Sequence, residues 1–248
     1  MKNKWEDVYK KEYGSVWYPM DGIIRFASRY LKRRIGIDRY ETKAEKKRVL
    51  DLGCGNGNHL IFFAGQGYDV SGLDISSEAI EIARAWLDKN SLKADLKVGD
   101  IEKLPYPDDT FDVVISHGVF DHIPSSKAKK AIEEVHRVCK SGAYICITFR
   151  STDDCEFGRG EEVDKNTYIL SEGYEKGIVQ HFYNIEDIND LLKKFKIFDI
   201  EEYEEKFPKK FSIDKAYLQS SKGQRTFINL SEKPDMIKYS RWYVAGEK

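Results

Sequence analysis

Cysteine is scarce in this 248-residue sequence: there are four, Cys54, Cys139, Cys146 and Cys155. They stand far apart, with no C-x-x-C pair and no histidines clustered at zinc-like spacing. Neither a disulfide framework nor a structural zinc site is expected. Long hydrophobic runs are missing as well; a membrane span needs on the order of 18 uncharged apolar residues, and no stretch approaches that. The opening residues, MKNKWEDVYKKEYGS, hold no apolar segment of the kind a secretory signal requires. Charge of one sign is not in excess either, because 41 lysines and arginines face 42 acids, a formal charge of −1. That excludes a globally basic nucleic-acid binder while leaving room for a local basic patch. Internal repeats and low-complexity stretches are lacking too. A cytoplasmic protein is expected, and 41% hydrophobic with 33% charged residues supplies both a core and a solvated surface.

What is present, from about residue 47 onward, is an alternation of short β-branched runs with helical patterns, as in βα units around a parallel sheet. Strands are expected at 48–52, 68–73, 95–98, 111–116, 143–149, 197–202 and 239–246. Ser76 can cap a helix whose Ala79, Ile82, Ala83 and Trp86 recur at helical spacing. Ser125 or Ser126 can start the next, with Ala128, Ile132, Val135 and Cys139 on its apolar face and Gly142 at its end. Asn184 followed by Asp187 resembles a capping box before Ile188, Leu191, Leu192 and Phe195.

Two segments fall outside the alternation. Residues 1–48 carry 14 basic and 7 acidic side chains, with aromatics at Trp5, Tyr9, Tyr13, Trp17 and Tyr18, and Pro19 precedes a helix expected to run to about Arg34. Residues 206–225 carry 6 basic side chains and 1 acid. Neither is long enough for a domain of its own, so they read as a lid and an insertion on a single core.

The most informative stretch is Val49-Leu-Asp-Leu-Gly-Cys-Gly-Asn-Gly57, a buried strand running into three glycines at alternate positions and then the helix His59-Leu-Ile-Phe-Phe-Ala64. Glycines there let the backbone turn tightly and approach a ligand. A dinucleotide fingerprint needs G-x-G-x-x-G, but the third glycine comes one residue early and position 58 is Asn58. The Walker pattern is absent. Asp51 lies in the approach to the loop and would repel a pyrophosphate, so a cationic ligand without phosphate suits the site better.

VLDLGCGNG resembles the first motif of the class I S-adenosylmethionine-dependent methyltransferases, and the resemblance continues over roughly residues 47–205. Asp74 ends YDVSGLD, where the family's acid holds the two ribose hydroxyls. Asp100, in Gly99-Asp-Ile101, stands where the family's Asp meets the adenine amino group. FDVVIS, GVFDHI and EVHRVCKSGAYICIT are similar to the family's fourth strand, the turn after it, and the following helix and strand. The resemblance implies an α/β three-layer sandwich with a seven-stranded, mostly parallel sheet in the order 3-2-1-4-5-7-6, the last strand antiparallel. It implies a single methyltransferase domain with a helical lid (1–46), a cofactor-binding core (47–205), an insertion (206–238) and the last strand (239–248). The implied cofactor is S-adenosyl-L-methionine, held by Asp51, Gly53, Cys54, Gly55, Asn56, Asp74, Ile75, Asp100, Ile101, Ser116 and His117, with Arg25 or Arg29 reaching the methionine carboxylate. Carboxylates suit hydroxyl and amino donors; capping a helix or turn is the alternative role for Asp74 and Asp100.

The implied reaction is in-line displacement at an activated methyl group. Alignment can contribute ~7–11 kcal/mol, more than a general base, which typically gives roughly 10²–10⁴-fold. Three histidines are candidates for a catalytic base: His117 after the fourth strand, His122 one short turn on, and His181 in Gln180-His-Phe-Tyr183. Their structural alternatives are wall packing for His117, a structural hydrogen bond for His122 and loop anchoring for His181. Tyr183 and Trp242 are further candidates to line the pocket, with core packing the alternative for Trp242, and the N-terminal aromatics to close over it, with an amphipathic helix packed on the sheet edge the alternative. Ser116-His-Gly-Val replaces the Asn-Pro-Pro-Tyr type tetrapeptide expected for amino methylation of nucleic-acid bases, which disfavours nucleic acid. The expected acceptor is a small molecule methylated on oxygen or nitrogen; the basic segments suit an anionic one such as a phosphorylated metabolite or surface-sugar precursor. An RNA methyltransferase and a catalytically inactive scaffold on the same fold are the alternatives.

Overall fold

In the computed structural model, which describes residues 2–12, 18–171, 175–208 and 236–248, a seven-stranded sheet forms the middle layer. At its centre β3 (Arg48–Leu52) buries Val49, Leu50, Asp51 and Leu52, and β6 (Phe111–Ser116) is nearly as enclosed. Such continuous burial follows from helices covering both faces of a parallel sheet. β4 (Asp69–Asp74) and β5 (Asp95–Val98) continue beyond β3, and β7 (Cys139–Arg150) lies beyond β6, all in parallel pairing. β12 (Met236–Glu247) runs antiparallel between β7 and β11 (Lys196–Pro208). The resulting order, β5-β4-β3-β6-β7-β12-β11, is the expected third, second, first, fourth, fifth, seventh and sixth strands.

Period-two alternation along the central strands divides the core in two. Val49, Val113 and Ile115 pack with Ile23 of α2 (Asp21–Phe26), Leu60 and Phe63 of α3 (Asn58–Gly65) and Ile80 of α4 (Ser77–Lys89). Leu50, Leu52 and Val114 face the other way, onto Ala128, Ile132 and Val135 of α5 (Ser125–Val138) and Ile188 of α6 (Ile185–Leu191). Two of the anticipated caps form: Ser76 Oγ accepts from Ala79 N–H at 3.2 Å, and Asn184 Oδ1 from Asp187 N–H at 2.8 Å. No helix among the described residues is long and apolar enough to cross a membrane.

Several details differ from expectation. Gly142 does not end α5. The helix stops at Val138, β7 starts at once, and Gly142, at φ 71°, falls where the β6–β7 register shifts, a bulge that glycine accommodates. The helix after Pro19 does not reach Arg34; α2 passes into a π-helical turn, Ala27–Leu31, and the chain then forms a hairpin of β1 (Lys32–Arg34) and β2 (Tyr40–Thr42). Between β7 and α6 stands an unanticipated antiparallel sheet of β8 (Glu161–Asp164), β9 (Thr167–Ile169) and β10 (Val179–His181). β11 and β12 are longer than expected. Most of the anticipated insertion, 209–235, and the aromatics Tyr13 and Trp17 lie outside the described residues.

One side chain aligns the start of β3 with β6. Asp112 Oδ2 accepts from Lys47 N–H (3.1 Å) and Arg48 N–H (2.9 Å), and Oδ1 from Lys140 Nζ (2.9 Å). Burial pushes this carboxyl up, but the Arg48 N–H, Lys140 and the Lys47 N–H outweigh it and hold it below its ordinary 3.8. A depressed carboxyl stabilises the fold above that ordinary value and loses its contribution as pH falls through the folded value. Asp112→Ala should therefore lower stability in urea titrations at neutral pH by about 1–3 kcal/mol, with the gap from the unaltered chain closing on acidification.

Candidate active site

Strand β3 ends where glycines take over the chain. Gly53, Gly55 and Gly57 have φ of 74°, 51° and 91°, the left-handed region. The turn they make is tied to the next strand, since Gly53 N–H and Cys54 N–H both donate to Leu73 O, at 2.7 and 3.0 Å. Asp74, last in β4, completes the tie: Oδ2 accepts from Gly55 N–H and Oδ1 from Ser76 N–H, each at 2.9 Å. A Cβ at Gly53 would lie 2.2 Å from Val119 Cγ2. The loop is thus pressed against the turn after β6 and leaves no room for a side chain.

A cavity of about 350 Å³ opens at this carboxyl edge of the sheet, where open α/β folds bind ligands. Gly53, Asp74 and Ile75 line it from the first two strand ends, Asp100, Ile101 and Glu102 from the third, and His117, Val119 and His122 from the fourth. Trp5 and Tyr9 reach it from α1 (Lys2–Glu12). That helix is latched by Glu6, which accepts from Ser77 N–H (2.9 Å) and Glu78 N–H (3.1 Å) at the start of α4, and from the hydroxyls of Ser76 and Ser77. A carboxylate at a helix N-terminus meets unpaired N–H groups and the positive end of the dipole. The Ser77 hydroxyl and the other donors bring Glu6 down to about 2 against the smaller opposing effect of burial.

Two buried acids shape the electrostatics. Asp74 is pushed up to about 6, by burial first and then by the nearby Asp51, although the Ser76 and Gly55 N–H groups pull the other way. Asp51 is 1% exposed, and its Oδ2 has no hydrogen-bond partner among the described residues. His59 Nδ1 is 3.6 Å from that oxygen, too far for a hydrogen bond.

A family model described as a methyltransferase domain matches residues 49–142, which carry the glycine loop, Asp74, Asp100 and His117. That segment is similar to the methyltransferase domain family, as the glycine loop and the two strand-end acids lead one to expect. An uncharacterized methyltransferase of Schizosaccharomyces pombe is 38% identical over 119 residues, 43% of this chain and 42% of its own. Ajmaline N-methyltransferase of Rauvolfia serpentina is 35% identical over 111 residues, 43% of this chain and 37% of its own. The match spans less than half of each of these relatives. A Methanosarcina mazei SAM-dependent methyltransferase shares the fold, with a TM-score of 0.61, 21% identity and coverage of 83% of this chain and 93% of its own.

The methyltransferase-domain match implies S-adenosyl-L-methionine as the cofactor, and the residues fit it. The unpartnered Asp51 Oδ2 offers a buried anionic acceptor to a cationic, donor-bearing ligand. Asp74 receives backbone N–H groups on both oxygens and keeps acceptor positions for hydroxyl donors.

Of the anticipated site residues, Gly53, Asp74, Ile75, Asp100, Ile101, His117 and His122 line the cavity. Asp51, Cys54, Gly55 and Asn56 shape the strand end and loop behind it; Cys54 is buried, which pushes its thiol up. Ser116 Oγ donates to Leu52 O at 2.9 Å and so ties β6 to β3. Arg25 is not brought to the cavity. Asp21 (2.6 Å) and Glu201 (3.4 Å) hold it in a separate groove, and Arg29 is held there by Asp199 and Glu201. His181 is not brought there either: it ends β10, bonds Thr167 Oγ1 through Nδ1 at 2.6 Å and lines a second cavity of about 200 Å³ beside Asp187 and Tyr183. Tyr183 donates to Phe120 O at 3.0 Å, and Trp242 Nε1 to Tyr183 O at 3.2 Å. Glu6, Glu102, Lys127 and Val119 went unanticipated. Glu6 carried no signal, because an acid on one helix does not reveal which distant helix it caps.

Two outcomes are expected. Asp74 must be ionised to use all its acceptor positions, so calorimetric affinity for S-adenosylmethionine should fall as pH drops through about 6. Glu6→Ala should speed limited tryptic cleavage at Lys4 or Lys10 while leaving the thermal unfolding of the core within about 1 kcal/mol of the unaltered chain.

Proposed function

We propose that the chain transfers a methyl group from S-adenosylmethionine to a small-molecule acceptor, most readily an amine. The observation that carries this reading is one cavity bounded by the glycine loop, Asp74 and Asp100, and reached by two histidines. Bound S-adenosylmethionine supplies an activated methyl group on a sulfonium. Asp74 would accept from the ribose hydroxyls and Asp100 from the adenine amino group, while Asp51 offers its unpaired oxygen to the cationic end. The chain's own task is alignment and exclusion of water. α1 contributes by laying Trp5 and Tyr9 along the cavity.

Charge supports an amine over an anionic acceptor. Arg25 and Arg29, the N-terminal cations anticipated near the ligand, are engaged by Asp21, Asp199 and Glu201. The cavity itself presents Asp74, Asp100 and Glu102 against Lys127, which is paired with Glu102. The name of the Rauvolfia relative, an N-methyltransferase, agrees with nitrogen as the receiving atom.

The test is calorimetric titration with S-adenosylmethionine beside NADH, followed by release of S-adenosylhomocysteine from a panel of small amines and phosphorylated hydroxyl compounds. Micromolar binding of S-adenosylmethionine alone is expected, weakened about tenfold or more by Asp74→Ala, as loss of ~1.4 kcal/mol of hydrogen bonding requires. Turnover should appear with amines. No binding at millimolar ligand would overturn the enzyme reading in favour of a scaffold on this fold.

A further inference from the structure

His117 and His122 line the same cavity, yet counting hydrogen bonds around each ring separates what they can do. Beside His117, in β7, is the buried hydroxyl of Thr148. It receives Gly118 N–H at 3.1 Å and Arg241 Nη1–H at 3.3 Å. A hydroxyl has two acceptor positions and one hydrogen. Both acceptor positions are filled by groups that can only donate, so the hydrogen goes to the third neighbour, His117 Nδ1 at 3.4 Å. That nitrogen is therefore bare, and the ring's hydrogen sits on Nε2. Arg241 is itself fixed by Asp121, whose other oxygen accepts from Arg150 N–H at 2.8 Å.

The groups facing His117 keep the ring uncharged. Burial and then the positive charge of Arg241 hold it well below the usual histidine range. The ring of His59 on α3 lies 5.8 Å away and that of Tyr243 on β12 6.0 Å away. His59 Nε2 accepts from Met20 N–H at 3.3 Å, so its own hydrogen is on Nδ1, towards Asp51.

His122 has the opposite arrangement. Its Nδ1 faces Val179 O at 3.3 Å, and a carbonyl oxygen can only accept, so Nδ1 carries a hydrogen and, in the neutral ring, Nε2 holds the lone pair. Glu175 Oε1 lies 3.7 Å from Nε2, beyond hydrogen-bond reach. Gln180 and Arg150 fix the other oxygen of Glu175. Asp121 also faces His122, and the Trp5 ring packs against it at 4.9 Å.

We propose that His117 is locked as the Nε2–H tautomer and can only donate, that Thr148 is the residue positioning it so, and that His122 is the base. The base assignment rests on the methyl-transfer reading; the tautomers do not. In the step implied, the acceptor nitrogen's electron pair forms the bond to the methyl carbon and the pair of the breaking S–C bond stays on sulfur. The nitrogen's proton passes to His122 Nε2.

Long-range proton–nitrogen NMR correlations of the ¹⁵N-labelled chain, without cofactor and near neutral pH, read the tautomers directly. Signals are assigned by their loss in His117→Gln and His122→Gln. His117 should show a protonated Nε2 and bare Nδ1, and His122 the reverse. Thr148→Val should move His117 toward the Nδ1–H form, and Thr148→Ser should restore it. An Nδ1–H form of His117 in the unaltered chain, or no change in Thr148→Val, would overturn the locking. Once an amine acceptor has been found, His122→Gln should lower kcat by about 10²-fold or more; full retention of kcat would overturn the base assignment. Absence of S-adenosylmethionine binding would instead count against the methyl-transfer reading and leave the tautomers standing.

Discussion

A single buried carboxylate holds together the two loops on which everything at the carboxyl edge of the sheet depends. Asp74 accepts one N–H from the glycine loop after β3 and another from the turn that starts α4. Ser76, which donates the second, also caps α4, and Glu6 takes the next two N–H groups. The glycine loop, the first turn of α4 and the docking of α1 thus meet within a few residues. The arrangement is electrostatically costly: Asp51 and Asp74 are both buried acids near one another, and Asp51 keeps an oxygen unpaired. Strain of this kind persists where surrounding structure over-determines it, and a ligand bearing hydroxyl donors and positive charge relieves it.

The sheet and the glycine loop were legible because their causes are local. Three glycines at alternate positions after a buried strand admit left-handed turns without steric cost, and Asp74 and Asp100 sit at or just past strand ends set by period-two runs. Elements defined by pairing were not legible. Gly142 looks like a helix stop, yet its left-handed φ serves a bulge that exists only because β7 lies beside β6. β8 is exposed along its whole length and carries no apolar alternation to betray it.

The same distinction holds among the site residues. For Arg25 the helix itself reveals only Asp21, one turn earlier; the second acid, Glu201, is brought to it by β11, far along the chain. His181 stands at a plausible distance from the fifth strand, but the small sheet β8–β10 turns it towards Thr167 and a different cavity. For His117 and His122 the residue types were visible while their roles were not, since a histidine's tautomer is set by partners on other strands and loops.

The long strand β11 stands at one edge of the sheet among the described residues, and an uncovered edge is a template for joining copies of a protein into aggregates. Along it run Asp199, Glu201, Glu202, Glu204 and Glu205. A second copy laid alongside would bring like charges together over most of that length. Within the molecule Asp199 and Glu201 are answered by Arg25, Arg29 and Tyr30 from the segment after Pro19, and Glu204 by Lys206 and Lys238. The arginines that look like ligand-binding groups in the sequence are, in the fold, what lets so acidic an edge strand be tolerated beside the molecule's own N-terminal segment.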